Sequence, residues 1–196
     1  VQKPARYVGG EYGQIKKDLK NVEVRAAFCF PDVYEIGMSN LGVKILYGLY
    51  NSLDYVWCER CFAPWPDMEA QMRARGLALY ALESGDALDQ FDIIAFSLSY
   101  ELSYTNLLNM LDLAGLPLYA SQREGLEHLV IAGGCCAVNP EPLADFVDVF
   151  LLGDGEEESV EFLELYRDAK ARRLSKREFL LAAAQGIRGV YVPSLY

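Results

Sequence analysis

The sequence has few basic side chains and almost no histidine. Lysine and arginine together number 18 against 28 aspartates and glutamates, which gives a net charge of −10, and His128 is the single histidine. Non-specific binding to a phosphate backbone depends on basic residues that displace counterions, and anionic membranes attract basic segments for the same reason. The charge balance therefore argues against nucleic-acid binding and against membrane-surface adhesion.

Long apolar runs are also absent. No uninterrupted stretch reaches the roughly 18 to 20 residues that a membrane span requires, and the first residues carry no signal-peptide pattern. With 52% hydrophobic and 23% charged residues, the composition is that of a packed domain, and we expect a soluble, cytoplasmic protein. Because the chain starts at Val1 rather than methionine and ends just after a strand-like segment, we also expect a piece of a longer polypeptide.

Nucleotide-binding and phosphotransfer fingerprints are missing too. No G-x-G-x-x-G follows the first predicted strand, and no G-x-x-x-x-G-K-[ST] occurs anywhere in the chain. A receiver-type phosphotransfer site would need an acidic pair after the first strand, together with an aspartate after the third, and neither is present. These absences disfavour dinucleotide, P-loop and receiver functions.

The five cysteines are odd in number, and two of them, Cys135 and Cys136, are adjacent and cannot readily bridge, so they fit reduced thiols better than a disulfide framework. Cys58 and Cys61 form a C-x-x-C, which is compatible with half of a zinc site or with a redox pair. Zinc needs four ligands as a rule, and neither a second such pair nor a second histidine exists. We therefore predict reduced thiols and no metal site, and we leave the role of Cys58 and Cys61 open.

Short apolar strands alternate with helical patterns. Strands are predicted at residues 22–30, 55–58, 92–97, 129–132 and 147–152, with a short extra strand at 77–82; helices are predicted near 41–49, 67–75, 104–114, 156–172 and 176–184. This alternation is typical of right-handed βαβ units. We predict a doubly wound, flavodoxin-like (Rossmann-like) α/β fold with a mainly parallel five-stranded sheet and helices on both faces.

Three segments are expected along the chain. Residues 1–20 are polar and weakly periodic, and we expect a leader segment that packs on the domain. Residues 21–172 carry the α/β alternation, and residues 173–196 form a C-terminal helix and strand.

The loops after four predicted strands are rich in glycine and hydrogen-bonding side chains. In open α/β sheets ligands bind outside the carboxyl ends of the strands, so these loops predict a binding cleft, although each loop alone fits tight turns and helix caps. The acidic residues after Gly155 fit a first helical turn better than a phosphate site. The candidate cofactor-binding residues are Asp32, Tyr34, Gly37, Met38, Ser39, Asn40, Ser97, Ser99, Tyr100, Glu101, Tyr104, Thr105, Asn106, Gly133, Gly134, Asn139, Gly153 and Gly155.

The same loops carry a family resemblance. Asp32-x-Tyr34-x-x-Gly37, Ser97 and Gly133-Gly134 resemble the Asp-x-His-x-x-Gly, Ser-x-Leu and Gly-Gly elements of cobalamin-binding domains. Over residues 5–196 the chain resembles the N-terminal, cobalamin-binding-like region of an uncharacterised family of radical S-adenosylmethionine (SAM) proteins. The phrases that carry this closer likeness are FPDVYEIGMSNLG, FAPWPDME, FSLSYELSYTN, NPEPLADF and GDGEE.

The resemblance implies a function shared with a second domain. The iron–sulfur cluster and S-adenosylmethionine of such proteins belong to a C-x-x-x-C-x-x-C loop, which this chain lacks. It therefore implies that residues 173–196 lead to a radical SAM domain of the same polypeptide, that this domain is the main partner, and that the present chain holds no catalytic residue. A homodimer is an open alternative to a monomer.

Two departures from the motif keep two functions open. Tyr34 stands where cobalamin domains have their cobalt-ligating histidine, and Ser99 stands where Ser-x-Leu has leucine. A phenol is a poor substitute for imidazole at neutral pH, so the resemblance implies a His-off corrinoid, with Asp32 bonded to Tyr34 or to the nucleotide tail. The alternative is a degenerate domain without cobalamin that shapes the substrate site or binds a partner, its cleft filled by Tyr34, Tyr100 and Tyr104.

Overall fold

The computed structural model describes all residues, 1–196, as a three-layer α/β sandwich around one sheet. Its strands are β1 (Val24–Phe30), β2 (Val56–Phe62), β3 (Ile93–Ser97), β4 (Leu129–Gly133), β5 (Val149–Leu151) and β6 (Val190–Tyr191). Its helices are α1 (Tyr34–Ser39), α2 (Leu41–Ser52), α3 (Pro66–Arg75), α4 (Tyr104–Leu113), α5 (Gly155–Arg172) and α6 (Lys176–Gly186).

The sheet has the order β2-β1-β3-β4-β5-β6. β1 to β5 are parallel, and the short β6 pairs antiparallel with β5, so the sheet has six strands rather than the five predicted. One face packs against α2, α5 and α6, and the other against α3 and α4. Since the helices that follow β1 and β3 lie on opposite faces, the topological switch point falls between these two strands. The predicted doubly wound, flavodoxin-like fold is confirmed.

β2 is longer than predicted because its two charged residues are buried in pairs. Glu59 contacts Arg25 at 2.6 Å, and Arg60 contacts Glu83 at 2.7 Å. These contacts let the strand run on to Phe62. Cys58 and Cys61 therefore lie within β2, three residues apart and on opposite faces of the sheet, where they cannot bond to each other.

The extra strand predicted at 77–82 is wrong. This segment forms a single bridge between Tyr80 and Ala87, and the backbone then turns at Gly85 with φ of +80°. Leu79 and Ala81 are buried nonetheless, which explains the apolar alternation that suggested a strand. None of the helices combines the length and the apolar character that a bilayer-spanning segment needs.

The leader, residues 1–20, contacts the β2 side of the domain. Lys17 Nζ donates to the carbonyl oxygens of Leu53 and Val56, and the Trp57 indole donates to the carbonyl oxygen of Ile15 at 3.1 Å. Gly9, with φ of +64°, lies directly against the Leu82 carbonyl. The leader thereby packs beside β2, whose outer edge is also covered by the segment around Leu82, where the Leu82 amide donates to the Arg60 carbonyl at 2.8 Å.

Candidate functional site

A pocket of about 180 Å³ opens between the carboxyl ends of the strands and the helices α2 and α5. Its floor is apolar and is formed by Phe28, Ile131 and Leu151 from three strands. Ile45 and Leu46 of α2 form one wall. The predicted site residues that line it are Ser97, Gly133, Gly134, Gly153 and Gly155. We call this space the strand-end pocket.

The glycine pair after β4 gives one side of the pocket its shape. Gly134 has φ of +100°, a conformation that L side chains rarely adopt, and a Cβ there would lie 2.7 Å from the Leu98 carbonyl oxygen. Gly133 is unstrained and is paired in register with Ser97. A Cβ at Gly133 would meet only ordinary contacts with Leu151, the nearest at 3.6 Å. Gly134 is therefore required by the fold, whereas Gly133 leaves room for a ligand.

The beginning of α5 forms the opposite side. A Cβ at Gly155 would meet Leu46 at 3.6 Å, so this position is also open. Ser159 donates its hydroxyl proton to the Gly155 carbonyl, and it hydrogen-bonds the buried Tyr50, whose pKa is raised chiefly by desolvation. Glu156 contributes a carboxylate to the lining. An apolar floor with one acidic side suits a flat, largely uncharged group better than a bare phosphate.

Asp32 and Tyr100 meet across the switch point. The Tyr100 hydroxyl donates to the Asp32 carboxylate, linking the loop after β3 to the loop after β1. This hydrogen bond raises the pKa of Tyr100 to about 12, with a smaller contribution from desolvation. In the same crevice Asn106 donates to the Pro31 carbonyl at 2.9 Å. Of the two partners that the resemblance implies for Asp32, Tyr34 is wrong, because Tyr100 takes its place, and the nucleotide tail stays a prediction.

Tyr34 points away from the strand-end pocket. Its ring packs edge-on against Phe62 with centroids 5.7 Å apart, beside Tyr7 of the leader. Desolvation raises the pKa of Tyr34 to about 12, and a hydrogen bond with Glu11 adds to the shift. Tyr34 thus joins the leader to the domain and does not fill the cleft.

The neighbours of Tyr34 have structural roles. Gly37 lies so close to the rings of Phe62 and Phe30 that a side chain there would overlap them. Ser39 donates to the Ile36 carbonyl at 2.8 Å, and the Asn40 side chain accepts from the Val43 amide at 3.1 Å as the cap of α2. Met38 Sδ accepts from the Arg60 guanidinium at 3.4 Å.

The loop after β3 contacts the loop after β4. The Tyr104 hydroxyl donates to the carbonyls of Cys136 at 2.9 Å and Asn139 at 3.3 Å, and Cys135 Sγ donates to the Ser99 carbonyl at 3.2 Å. Glu101 and Thr105 are exposed. These residues lie at the same edge of the sheet but outside the strand-end pocket, so Tyr104 does not fill it either.

Sequence reasoning missed the helical wall of the pocket. The predicted site residues do not include Ile45, Leu46 or Tyr50, yet all three line the pocket. The signal in the sequence is the wide apolar stripe of α2. Two of its residues, Leu41 and Ile45, are 69% and 42% exposed in the folded chain. A helix that forms the wall of a pocket has an apolar face wider than the part of it that packs on the core.

Comparison with known proteins assigns the family. The model of the N-terminal region of radical SAM proteins matches residues 42–193, most of the chain. The chain belongs to this family. An uncharacterized protein of Methanocaldococcus jannaschii is 29% identical over 142 residues, which is 71% of this chain. The chain spans 25% of the length of that relative. The radical SAM family match begins at Gly42, so the loop after β1, with Asp32 and Tyr34, lies outside it.

Proposed function

We propose that this radical SAM N-terminal domain holds a corrinoid, with the nucleotide tail in the strand-end pocket. The observation that carries the proposal is the pocket itself, an apolar cavity at the carboxyl ends of parallel strands with unstrained glycines on two sides. Gly133 and Gly155 leave the space that a side chain would occupy, and Ser97 and Ser159 supply hydroxyl groups. These residues suit a flat heterocyclic base at the end of a tail.

The charge around the pocket also favours such a base. Glu156, Glu157 and Glu158 form the first turn of α5, and their carboxylates oppose the binding of a bare phosphate at that helix N-terminus. No protein imidazole is available at this edge, because His128 lies just before β4 at the amino end of the sheet, with Nδ1 3.1 Å from the Phe91 carbonyl. The bound corrinoid is accordingly His-off.

The rest of the polypeptide completes the activity in this proposal. A downstream radical SAM domain supplies the iron–sulfur cluster and S-adenosylmethionine, and the corrinoid supplies a cobalt centre that can carry a methyl group. Residues of the present chain bind and orient the cofactor, and the chain alone is catalytically silent. The full-length protein is a radical SAM enzyme under this proposal.

Anaerobic titrations with hydroxocobalamin and with cobinamide, which lacks the nucleotide tail, test the proposal. If the tail occupies the pocket, hydroxocobalamin binds at least about tenfold more tightly than cobinamide, a difference of about 1.4 kcal/mol. Equal affinities would place the tail elsewhere. The absence of any spectral change or thermal shift at high micromolar hydroxocobalamin would reject corrinoid binding altogether.

A second function, a domain without cobalamin that contacts substrate or a partner, is favoured by one observation. The Asp32–Tyr100 and Asn106–Pro31 hydrogen bonds join the loop after β1 to the loop after β3 and to α4, at the switch point where a ligand commonly enters such a sheet. A domain of this kind needs no ligand in the strand-end pocket. Failure of both titrations, together with loss of full-length activity on disrupting the switch-point loops, supports this second function.

A further inference from the structure

The Asp32–Tyr100 pair lies directly beyond the strands that form the strand-end pocket. Phe28 of β1 and Ser97 of β3 line the pocket, and the chain reaches Asp32 and Tyr100 a few residues after each. The pair therefore stands at the same carboxyl edge of the sheet as the strand-end pocket, outside its lining. Tyr100 is 36% exposed, so its ring is accessible from that edge.

We infer that Tyr100, held by Asp32, is the side chain that this domain presents to the lower face of the corrinoid. The inference rests on the proposed function and assigns a positioning residue within it. The sequence motif would assign that place to Tyr34, but the ring of Tyr34 packs on Phe62, and its hydroxyl hydrogen-bonds with the leader residue Glu11. Asp32 has a single aromatic partner, and that partner comes from the neighbouring loop.

The chemistry of the pair fits a corrinoid that would take no ligand from this domain. Tyr100 donates its proton to Asp32, so the phenol oxygen stays protonated near neutral pH and is a poor metal ligand. The carboxylate that orients an imidazole in a histidine–aspartate pair here orients a phenol. Tyr100 would thus face a bound corrinoid as a neutral hydroxyl group and would offer it no metal ligand.

Exchanging each tyrosine for histidine separates the two positions. Tyr100→His places an imidazole next to Asp32, whereas Tyr34→His restores the motif but keeps the side chain under the leader. Each variant is prepared with [15N]histidine, loaded with hydroxocobalamin, reduced to cob(II)alamin and measured by electron paramagnetic resonance. Because the native chain has a single histidine, a nitrogen coupling that changes on 15N labelling identifies a protein imidazole on cobalt.

The inference predicts this coupling in Tyr100→His and its absence in Tyr34→His and in the native chain. Coupling in Tyr34→His alone, or in neither variant, overturns the inference and leaves the proposed function standing. A native chain that binds no hydroxocobalamin overturns both.

A measurement on the native chain covers the case in which a histidine variant does not fold. Amide hydrogen exchange is compared with and without hydroxocobalamin. Slower exchange in residues 97–104, with unchanged exchange in residues 118–124 at the opposite end of the sheet, supports the inference. Unchanged exchange in residues 97–104 under saturating hydroxocobalamin overturns it.

Discussion

Gly134 lies against the main-chain carbonyl of Leu98, and a Cβ at residue 134 would stand 2.7 Å from that oxygen. The contact holds the loop after β4 onto the loop after β3. The Cys136 amide donates to the same carbonyl at 3.1 Å, which tightens the junction. The shape of the strand-end pocket depends on this close approach, because Gly134 is part of its lining.

Gly134→Ala is expected to destabilise the fold. The substitution combines a positive φ with a clash against backbone, and we expect a loss of about 1–3 kcal/mol in the free energy of unfolding. Urea denaturation measures the loss. Gly48→Ala is the matched control, because nothing lies within 4 Å of the added Cβ on exposed α2, and it is expected to be neutral or stabilising. Equal stability of the two variants would contradict the prediction.

Asp148 is expected to contribute far more to the free energy of unfolding than an exposed carboxylate does. It contacts Lys176 at 2.6 Å and Arg123 at 3.1 Å, and its side chain is 1% exposed. Asp148→Asn leaves two cations without their partner in a buried cluster, at an expected cost of about 3–5 kcal/mol in the free energy of unfolding.

Asp112→Asn is the control for Asp148. Asp112 contacts Arg73 at 2.8 Å on the surface, and its side chain is 54% exposed. The expected cost is at most about 1 kcal/mol. Urea unfolding of both variants checks the contrast, and similar losses would refute the assigned role of the buried cluster.

Asp32→Asn is expected to lower the pKa of Tyr100 toward its ordinary value of 10.0, because the hydrogen bond to Asp32 is the largest cause of its rise to about 12. Glu11→Gln is the control, since desolvation is the largest cause of the raised pKa of Tyr34, which should stay above its ordinary value of 10.0. Nuclear magnetic resonance of 13C-labelled tyrosine resolves the two titrations. A Tyr100 pKa that does not respond to Asp32→Asn would contradict the hydrogen bond.

The raised phenol pKa values also set a direction for alkaline stability. A group whose pKa is higher in the folded state stabilises the fold fully below its unfolded pKa and loses that contribution as pH rises through the folded pKa. For Tyr34 and Tyr100 this window runs from 10.0 to about 12. The urea concentration at the unfolding midpoint should therefore decrease as the pH rises from 10 to 12. Asp32→Asn should make this decrease smaller, because it reduces the Tyr100 contribution.

Much of the fold could be predicted because the buried parallel strands are continuous apolar runs. β1, β3 and β4 lie near their predicted bounds. β2 was predicted too short, since the sequence reveals neither Arg25 as the partner of Glu59 nor Glu83 as the partner of Arg60. Two charged residues inside a buried strand become plausible only when the oppositely charged partner of each is known.

The candidate site was predictable as an edge of the sheet but not in its details. Three residues that the loop composition singles out, Ser97, Gly133 and Gly155, line one pocket in the structure, and their role in binding stays a prediction. The motif could not show which way Tyr34 points, because the leader that covers it lies more than twenty residues earlier in the chain. Nor could it pair Asp32 with Tyr100, a partner 68 residues away.

Hydroxocobalamin binding to the native chain and to Gly133→Val tests the central claim most directly. Valine at residue 133 fits a strand end without backbone strain and fills the strand-end pocket, whereas Gly48→Val adds the same side chain on exposed α2. The account predicts saturable binding to the native chain and to Gly48→Val, with at least about tenfold weaker binding to Gly133→Val, or about 1.4 kcal/mol. Equal binding to all three, or none to the native chain, would contradict it.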